Sequence, residues 1–251
     1  MNRPPSPKPK TVSLDRALSK MGVASRSEAR RLVWAGRVSV NGRVVRDTEA
    51  RIRLGQDAIR VDGEQAQPAA RHYIALNKPA GLVTTKSDER GRATVYECLR
   101  GLDVPWLGPV GRLDRASEGL LFFTNDTAWA NRVLDPASHL PKTYDVQVNG
   151  HLTEEELDQL RRGVVLKDGA LARVAEVRVL REGKVNCWLE IVLHGGLNRQ
   201  IRRMLAVLGY EVLRLIRIAI GPVVLGDLPK GAARPLTKPE LLAIERFLHG
   251  K

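Results

Sequence analysis

Asp114 stands between Arg112 and Arg115 in the stretch Gly111-Arg112-Leu113-Asp114-Arg115-Ala116-Ser117-Glu118-Gly119-Leu120-Leu121-Phe122-Phe123-Thr124-Asn125-Asp126. A carboxylate flanked by guanidiniums stays ionised and can act as a nucleophile. The same Asp, taken alone, also suits a turn or a cap. A phenol, Tyr144 in Lys142-Thr143-Tyr144, and the guanidiniums of Asn198-Arg199-Gln200-Ile201-Arg202-Arg203-Met204 are the other reactive groups in dense local settings. Other sources of chemistry are missing from the sequence. No Gly-rich loop ends in Gly-Lys-Ser or Gly-Lys-Thr. The five histidines are too widely separated for zinc-ligand spacing, and nothing pairs them with Cys98 or Cys187. Ser117 lacks the leading glycine of a nucleophile elbow. The chemistry therefore falls to a carboxylate, a phenol and guanidiniums, and no metal site is expected.

These groups sit in a chain of 251 residues with 41 Lys plus Arg against 28 Asp plus Glu, a net charge of +13. Such a surplus favours an anionic partner, nucleic acid or acidic lipid, over a small metabolite. Two cysteines are too few for a disulfide scaffold and fit a reducing compartment. The opening residues lack the apolar stretch of a secretory signal, and no later run approaches the ~18 apolar residues of a membrane span. A cytoplasmic protein without membrane contact is expected.

The elements that must position the reactive groups are marked by periodicity and turn signals. Residues 1–12, prolines and basic residues without an acid, are expected to form a flexible basic tail. Leu14, Ala17, Leu18 and Met21 recur at helical spacing and stop at Gly22. Ser25 and Glu28 form a capping-box pattern for a second helix that ends near Gly36. Val38-Ser39-Val40 and Arg43-Val44-Val45 flank Asn41-Gly42, a hairpin signal, and a further strand spans 58–61. Between Ser13 and Asp62 eleven Lys or Arg face six Asp or Glu, with Arg26, Arg30, Arg31 and Arg37 clustered on and after the second helix. That face suits RNA phosphates, because each guanidinium can donate in a fork. Residues 13–70 are thus expected to form a small helix-helix-hairpin RNA-binding domain with a linker at 64–70. Residues 71–251, with strand-like runs at 73–76, 120–123, 144–148, 172–180, 187–193 and 212–218 and three helices, are expected to form an α+β catalytic domain with a mixed or antiparallel sheet.

The Gly-Arg-Leu-Asp stretch, followed by Gly119-Leu120-Leu121 and Thr124-Asn125-Asp126, resembles the catalytic motif of the rRNA pseudouridine synthases. Lys142-Thr143-Tyr144 resembles their Lys-x-Tyr segment, and the run from Asn198 their helix-opening arginine motif. Asn77-Lys78-Pro79-Ala80-Gly81, Leu213 to Gly221 and Arg234-Pro235-Leu236-Thr237 complete the set in the family's order. The front unit resembles the S-four type RNA-binding module, and the pairing looks most like the large-subunit rRNA enzymes. The sequence departs from the pattern at His194-Gly195-Gly196-Leu197, where Glu-Gly-Arg is common, and at Asp135-Pro136, where His-Pro is common. The first departure weakens the case for an extra phosphate contact at position 197.

The resemblance implies isomerisation of uridine to pseudouridine in ribosomal RNA, large subunit before small, by a cofactor-free and monomeric enzyme. It implies that Asp114 is the nucleophile, attacking ribose C1′ or the uracil ring, and that Arg202 pairs with it. Tyr144 would stack a uracil flipped out of the RNA and lie near the proton to be removed. Arg112, Lys142, Arg199, Gln200, Arg203 and Leu215 are expected to bind substrate, with Leu213 an alternative to Leu215 and Arg214 a further backbone contact. Three other classes compete: a non-catalytic ribosome-assembly factor, a glycoside hydrolase using Asp114 with Glu118, and a helix-turn-helix DNA binder.

Overall fold

A computed structural model of the protein describes residues 11–250. The expected tail therefore lies almost wholly outside the described residues, and at its inner end Val12 already belongs to a strand. The chain forms two compact units. One comprises residues 11–72 with Asp103–Gly108 and Thr124–Trp129; the other comprises Tyr73–Leu102, Pro109–Phe123 and residues 130–250.

In the first unit, β1 (Val12–Ser13) pairs antiparallel with β4 (Arg51–Ile52). Helices α1 (Leu14–Lys20) and α2 (Arg26–Trp34) follow β1, and the Ser25 side chain caps α2 by accepting from the Glu28 N–H. Strands β2 (Val38–Val40), β3 (Arg43–Val44), β5 (Ile59–Val61) and β6 (Glu64–Gln65) make a four-stranded antiparallel sheet in the order β3-β2-β5-β6. Both turn residues of the first hairpin take positive φ, 50° at Asn41 and 81° at Gly42. The segment from Glu64 was expected to be linker. A second positive-φ pair, Asp62 and Gly63, folds the chain back so that Glu64 and Gln65 pair with β5. Leu14, Ala17, Leu18, Val33, Val38 and Ile59 meet in the core, the positions that helical and alternating spacing pick out.

Each of the four clustered arginines has a carboxylate partner. Arg26 and Arg30 both reach Asp15, whose side chain is 0% exposed and also accepts from the Ser13 hydroxyl. Arg31 pairs with Glu28, and Arg37 forms a two-pronged contact with Asp62.

The second unit is built on a mixed sheet. Its path runs β13 (Glu176–Glu182), β14 (Asn186–Leu193), β10 (Lys142–Asn149), β15 (Val212–Ile220), β9 (Glu118–Thr124), β7 (Tyr73–Lys78) and β17 (Ala233–Pro235). β8 (Gly108–Val110) and β16 (Val223–Val224) add to β9 and β15. The pair β15–β9 is parallel, with Arg217 opposite Gly119, and the sheet is therefore mixed. The strand expected over 172–180 is split: β11 (Val164–Val165) takes β12 (Leu171–Ala172) as its partner, and the chain joins β14 only at Glu176. Leu157 and Leu160 of α4 (Glu154–Arg162) and Ile201, Met204 and Leu205 of α5 (Gln200–Val207) pack with Val146, Val148, Leu189 and Ile191 of the sheet. The capping boxes at Thr153 and Thr237 are formed, the latter opening α6 (Lys238–His249). The remaining helix, α3 (Thr127–Leu134), was not expected. It is opened by Asp126, whose carboxylate accepts from the N–H groups of Ala128 and Trp129.

Candidate active site

Asp114 lies in the loop between β8 and β9, and this loop is fixed from beneath. Lys78, 0% exposed at the end of β7, donates from Nζ to the carbonyl oxygens of Pro79, Asp114 and Ser117 at 3.0, 3.1 and 2.8 Å. Burial pushes the Lys78 ammonium down to about 8. The Thr84 hydroxyl donates to the Leu113 carbonyl at 2.7 Å, and the Ser117 N–H closes a turn onto the Asp114 carbonyl. With its backbone held at these points, the loop leaves the Asp114 carboxylate at the wall of a cavity of about 430 Å³, which Tyr144 also lines.

Arg112, Lys142, Arg199, Gln200 and Leu215 line the same cavity, so the structure brings together most of the expected residues. Several placements differ from expectation. Arg202 does not pair with Asp114. One helical turn into α5, it donates to the carbonyls of Val212 at 2.8 Å and Ala116 at 3.4 Å. Arg199 makes the ion pair instead, Nη1 to Oδ2 at 3.4 Å, from a left-handed residue with φ 52° just before α5. Arg203 turns away from the cavity to Asp168, 2.6 Å away. The Gln200 amide is committed to the protein, donating to the Arg173 carbonyl and accepting from the Leu197 N–H. Of the two candidate leucines, Leu215 is buried at the cavity and Leu213 is exposed outside it.

Arg214 is bound to Glu118 by two hydrogen bonds of 3.1 Å, and Lys230 holds the same carboxylate. Burial works to raise Glu118, yet these two cations outweigh it and keep the carboxyl below its usual range. Glu118 is thus held by two cations and does not line the cavity with Asp114, which speaks against the two-carboxylate alternative. Lys78, Thr84 and Arg217 were missed by the sequence reading. The signal for Arg217 was available: alternation puts it on the same strand face as Leu215, a core position, where an arginine needs a reason.

Among the described residues no group of three or more His, Cys, Asp or Glu is placed to hold a metal ion, and no helix is long and apolar enough to cross a membrane. A family model described as RNA pseudouridylate synthase matches residues 72–207, and an S4 domain model matches residues 12–57. The chain belongs to the RNA pseudouridylate synthase family. Similar proteins include an RNA pseudouridine synthase of Aquifex aeolicus, 42% identical over 233 residues and covering 92% of each chain. Ribosomal large subunit pseudouridine synthase B of Bacillus subtilis is 35% identical over 240 residues, covering 95% of this chain and 98% of its own. The crystal structure of a pseudouridylate synthase superposes with a TM-score of 0.64 at 29% identity, covering 93% of this chain and 99% of that one. The synthase family and α+β fold implied by the motifs are thus established.

Proposed function

We propose that this synthase converts a uridine of large-subunit ribosomal RNA to pseudouridine, with Asp114 as the nucleophile and the target base flipped onto Tyr144. The observation that carries the reading is the shared cavity, in which a braced, partly exposed carboxylate and a phenol ring border one space of nucleoside size. The Asp114 oxygen bonds to ribose C1′ as the C1′–N1 bond breaks, and the bonding pair stays on the uracil. The freed ring turns on the Tyr144 face until C5 meets C1′. C5 then bonds to C1′, the carboxylate leaves with its electron pair, the C5 proton passes to a base, and N1 takes up a proton. Atoms and electrons balance within substrate and water, so the isomerisation itself consumes no cofactor. Arg199 supports the ionised carboxylate, and Arg202 ties α5 to the nucleophile loop through Ala116.

Extruding a stacked base costs a few kcal/mol, which contacts from the basic first unit and from Arg112 offset. The large-subunit assignment draws on the similarity to ribosomal large subunit pseudouridine synthases B of Bacillus subtilis and Pseudomonas aeruginosa. A monomer in the cytoplasm completes the reading. The test is tritium release from C5-labelled large- and small-subunit transcripts by wild type and Asp114→Asn. Release from the large-subunit RNA by wild type alone is expected. Release by the Asn variant would remove Asp114 as nucleophile. Tight RNA binding without release from transcripts or precursor particles would favour an assembly factor.

A further inference from the structure

Three cations lining the cavity have no anionic partner among the described residues: exposed Arg112 at the rim, and the less exposed Lys142 and Arg217. Lys142 and Tyr144 are two residues apart on β10 and share a face of the strand. The antiparallel register sets Arg217 of β15 opposite Tyr144, and a bulge at Ile218 brings Ile220 opposite Lys142. Lys142, Tyr144, Leu215, Arg217 and Ile220 thereby line one cavity with Asp114. Arg217 is 6% exposed; its Nε donates to the Leu120 carbonyl at 2.7 Å, whereas its buried Nη2 makes no hydrogen bond among the described residues. Further cations near the loop are engaged: Lys78 with three carbonyls, Arg199 with Asp114, Arg202 with two carbonyls.

We infer that Lys142 and Arg217 form a cationic floor that receives the carbonyl oxygens of the target uracil and carries the negative charge of the ring when its bond to ribose breaks. The inference rests on the reading of Asp114 as the nucleophile of pseudouridine formation. Two like charges that line one cavity with Leu193, Leu215 and Ile220 repel each other, and burial together with Arg217 pushes the Lys142 ammonium down to about 8. Such an arrangement is relieved by an anion and only slightly by a neutral group. Uracil enters neutral and becomes an anion, its charge spread over O2 and O4, at the moment the C1′–N1 pair passes to it. Attack on ring carbon C6 would likewise deliver a pair to O4. The floor thus favours the transition state over the bound substrate, with donors fixed beforehand.

A phosphate fits the floor poorly. It keeps its charge throughout, so the floor would gain nothing as the bond to ribose breaks, and it would share the cavity with the Asp114 carboxylate. Exposed Arg112, at the rim, suits that role. The same floor disfavours cytidine, whose exocyclic amine would present a donor to donors.

The test compares single-turnover conversion of a target uridine with consumption of 5-fluorouridine at the same position, where C5 has no proton to lose and the rejoined ring instead takes up water at C6, both read by chromatography of nuclease digests. Fluorine stabilises the ring anion, so a variant lacking a stabilising cation is less handicapped on the fluorinated base. Lys142→Met is expected to slow uridine conversion about 100-fold, to slow 5-fluorouridine consumption at least tenfold less, and to leave RNA affinity within threefold. Lys142→Arg should return the ratio of the two rates toward wild type. Arg217→Lys, judged only if its melting temperature is unchanged, should shift the ratio in the direction seen for Lys142→Met. Equal slowing on both bases, no slowing, or a loss confined to RNA affinity would overturn the inference. Asp114→Asn is run alongside. If it turns over, the nucleophile assignment fails whatever Lys142 does; if it is silent and the two bases respond equally to Lys142→Met, only the cationic floor fails.

Discussion

Asp114 and the two arginines before and within α5 have separable jobs, because Arg199 is half-exposed and Arg202 has its Nε buried without a partner. Arg199→Met removes a charge beside the Asp114 carboxylate and little packing. It should lower kcat by about tenfold or more and leave the melting temperature within a degree or so, since exposed pairs contribute little to stability. Arg202→Met deprives the Val212 and Ala116 carbonyls of a donor, and about 1–3 kcal/mol of stability should go with the activity. Thermal melts run beside turnover assays check both, and an unchanged Arg202→Met melt would deny it the bracing role. Sequence alone distinguishes these two poorly. Arg199 and Arg202 stand three residues apart in one run, and which of them reaches Asp114 depends on the left-handed backbone at Arg199. That conformation is uncommon for a residue with a Cβ and carries no marker in residue type. Lys78 was hidden for a different reason. Lysine is almost never fully buried, and its three acceptors are backbone carbonyls, two of which, at Asp114 and Ser117, lie far along the chain.

The elements were easier to read where one residue type is obligatory. Asn41-Gly42, Ser25 and the Thr153 and Thr237 capping boxes stand where expected, because positive φ and cap acceptors select few side chains. α3 was overlooked because Asp126, its opening acceptor, closes the Gly111–Asp126 stretch and was absorbed into it. The parallel contact of β9 with β15 could not be read at all, since it joins segments about a hundred residues apart, yet one glycine makes it possible. Gly119 has φ +101°, and a Cβ there would strike the Arg217 carbonyl oxygen and stand 2.7 Å from its amide nitrogen. Both are backbone atoms in the sheet and cannot swing aside. Gly119→Ala should therefore cost about 3 kcal/mol. It should also displace Arg217 and with it the cavity floor, so that the folded fraction turns over slowly. Denaturant unfolding combined with turnover per folded molecule measures this; wild-type behaviour on both counts would mean the β9–β15 approach is looser than described.

For the whole molecule, the +13 charge sets the terms of RNA binding, but the count overstates what phosphates can meet in the first unit. The arginine cluster expected to track RNA has carboxylates interleaved with it, which single-residue counting cannot separate from free charge. Arg30 compensates Asp15, fully buried, whose carboxyl is held below its ordinary range; burial opposes this, but Ser13 and Arg30 outweigh it. Arg31 is 66% exposed and tied only to Glu28 one helical turn away, a pairing worth little in water. Arg31 can leave its partner for a phosphate at small cost, whereas Arg30 cannot leave without taking the nearer of two cations from the buried Asp15, which then keeps only Arg26 at 3.5 Å and the Ser13 hydroxyl. Arg31→Gln should thus flatten the plot of log affinity against log salt by about one unit and leave the melting temperature unchanged. Arg30→Gln should instead destabilise the protein by about 2 kcal/mol, somewhat less than a fully buried broken pair because its guanidinium is half in water. Binding of an rRNA transcript across a potassium chloride series, with a melt of each variant, decides the matter. If both variants flatten the slope equally and both keep their melting temperature, the Asp15 pairing is too weak to hold Arg30, and the whole helix face is open to RNA.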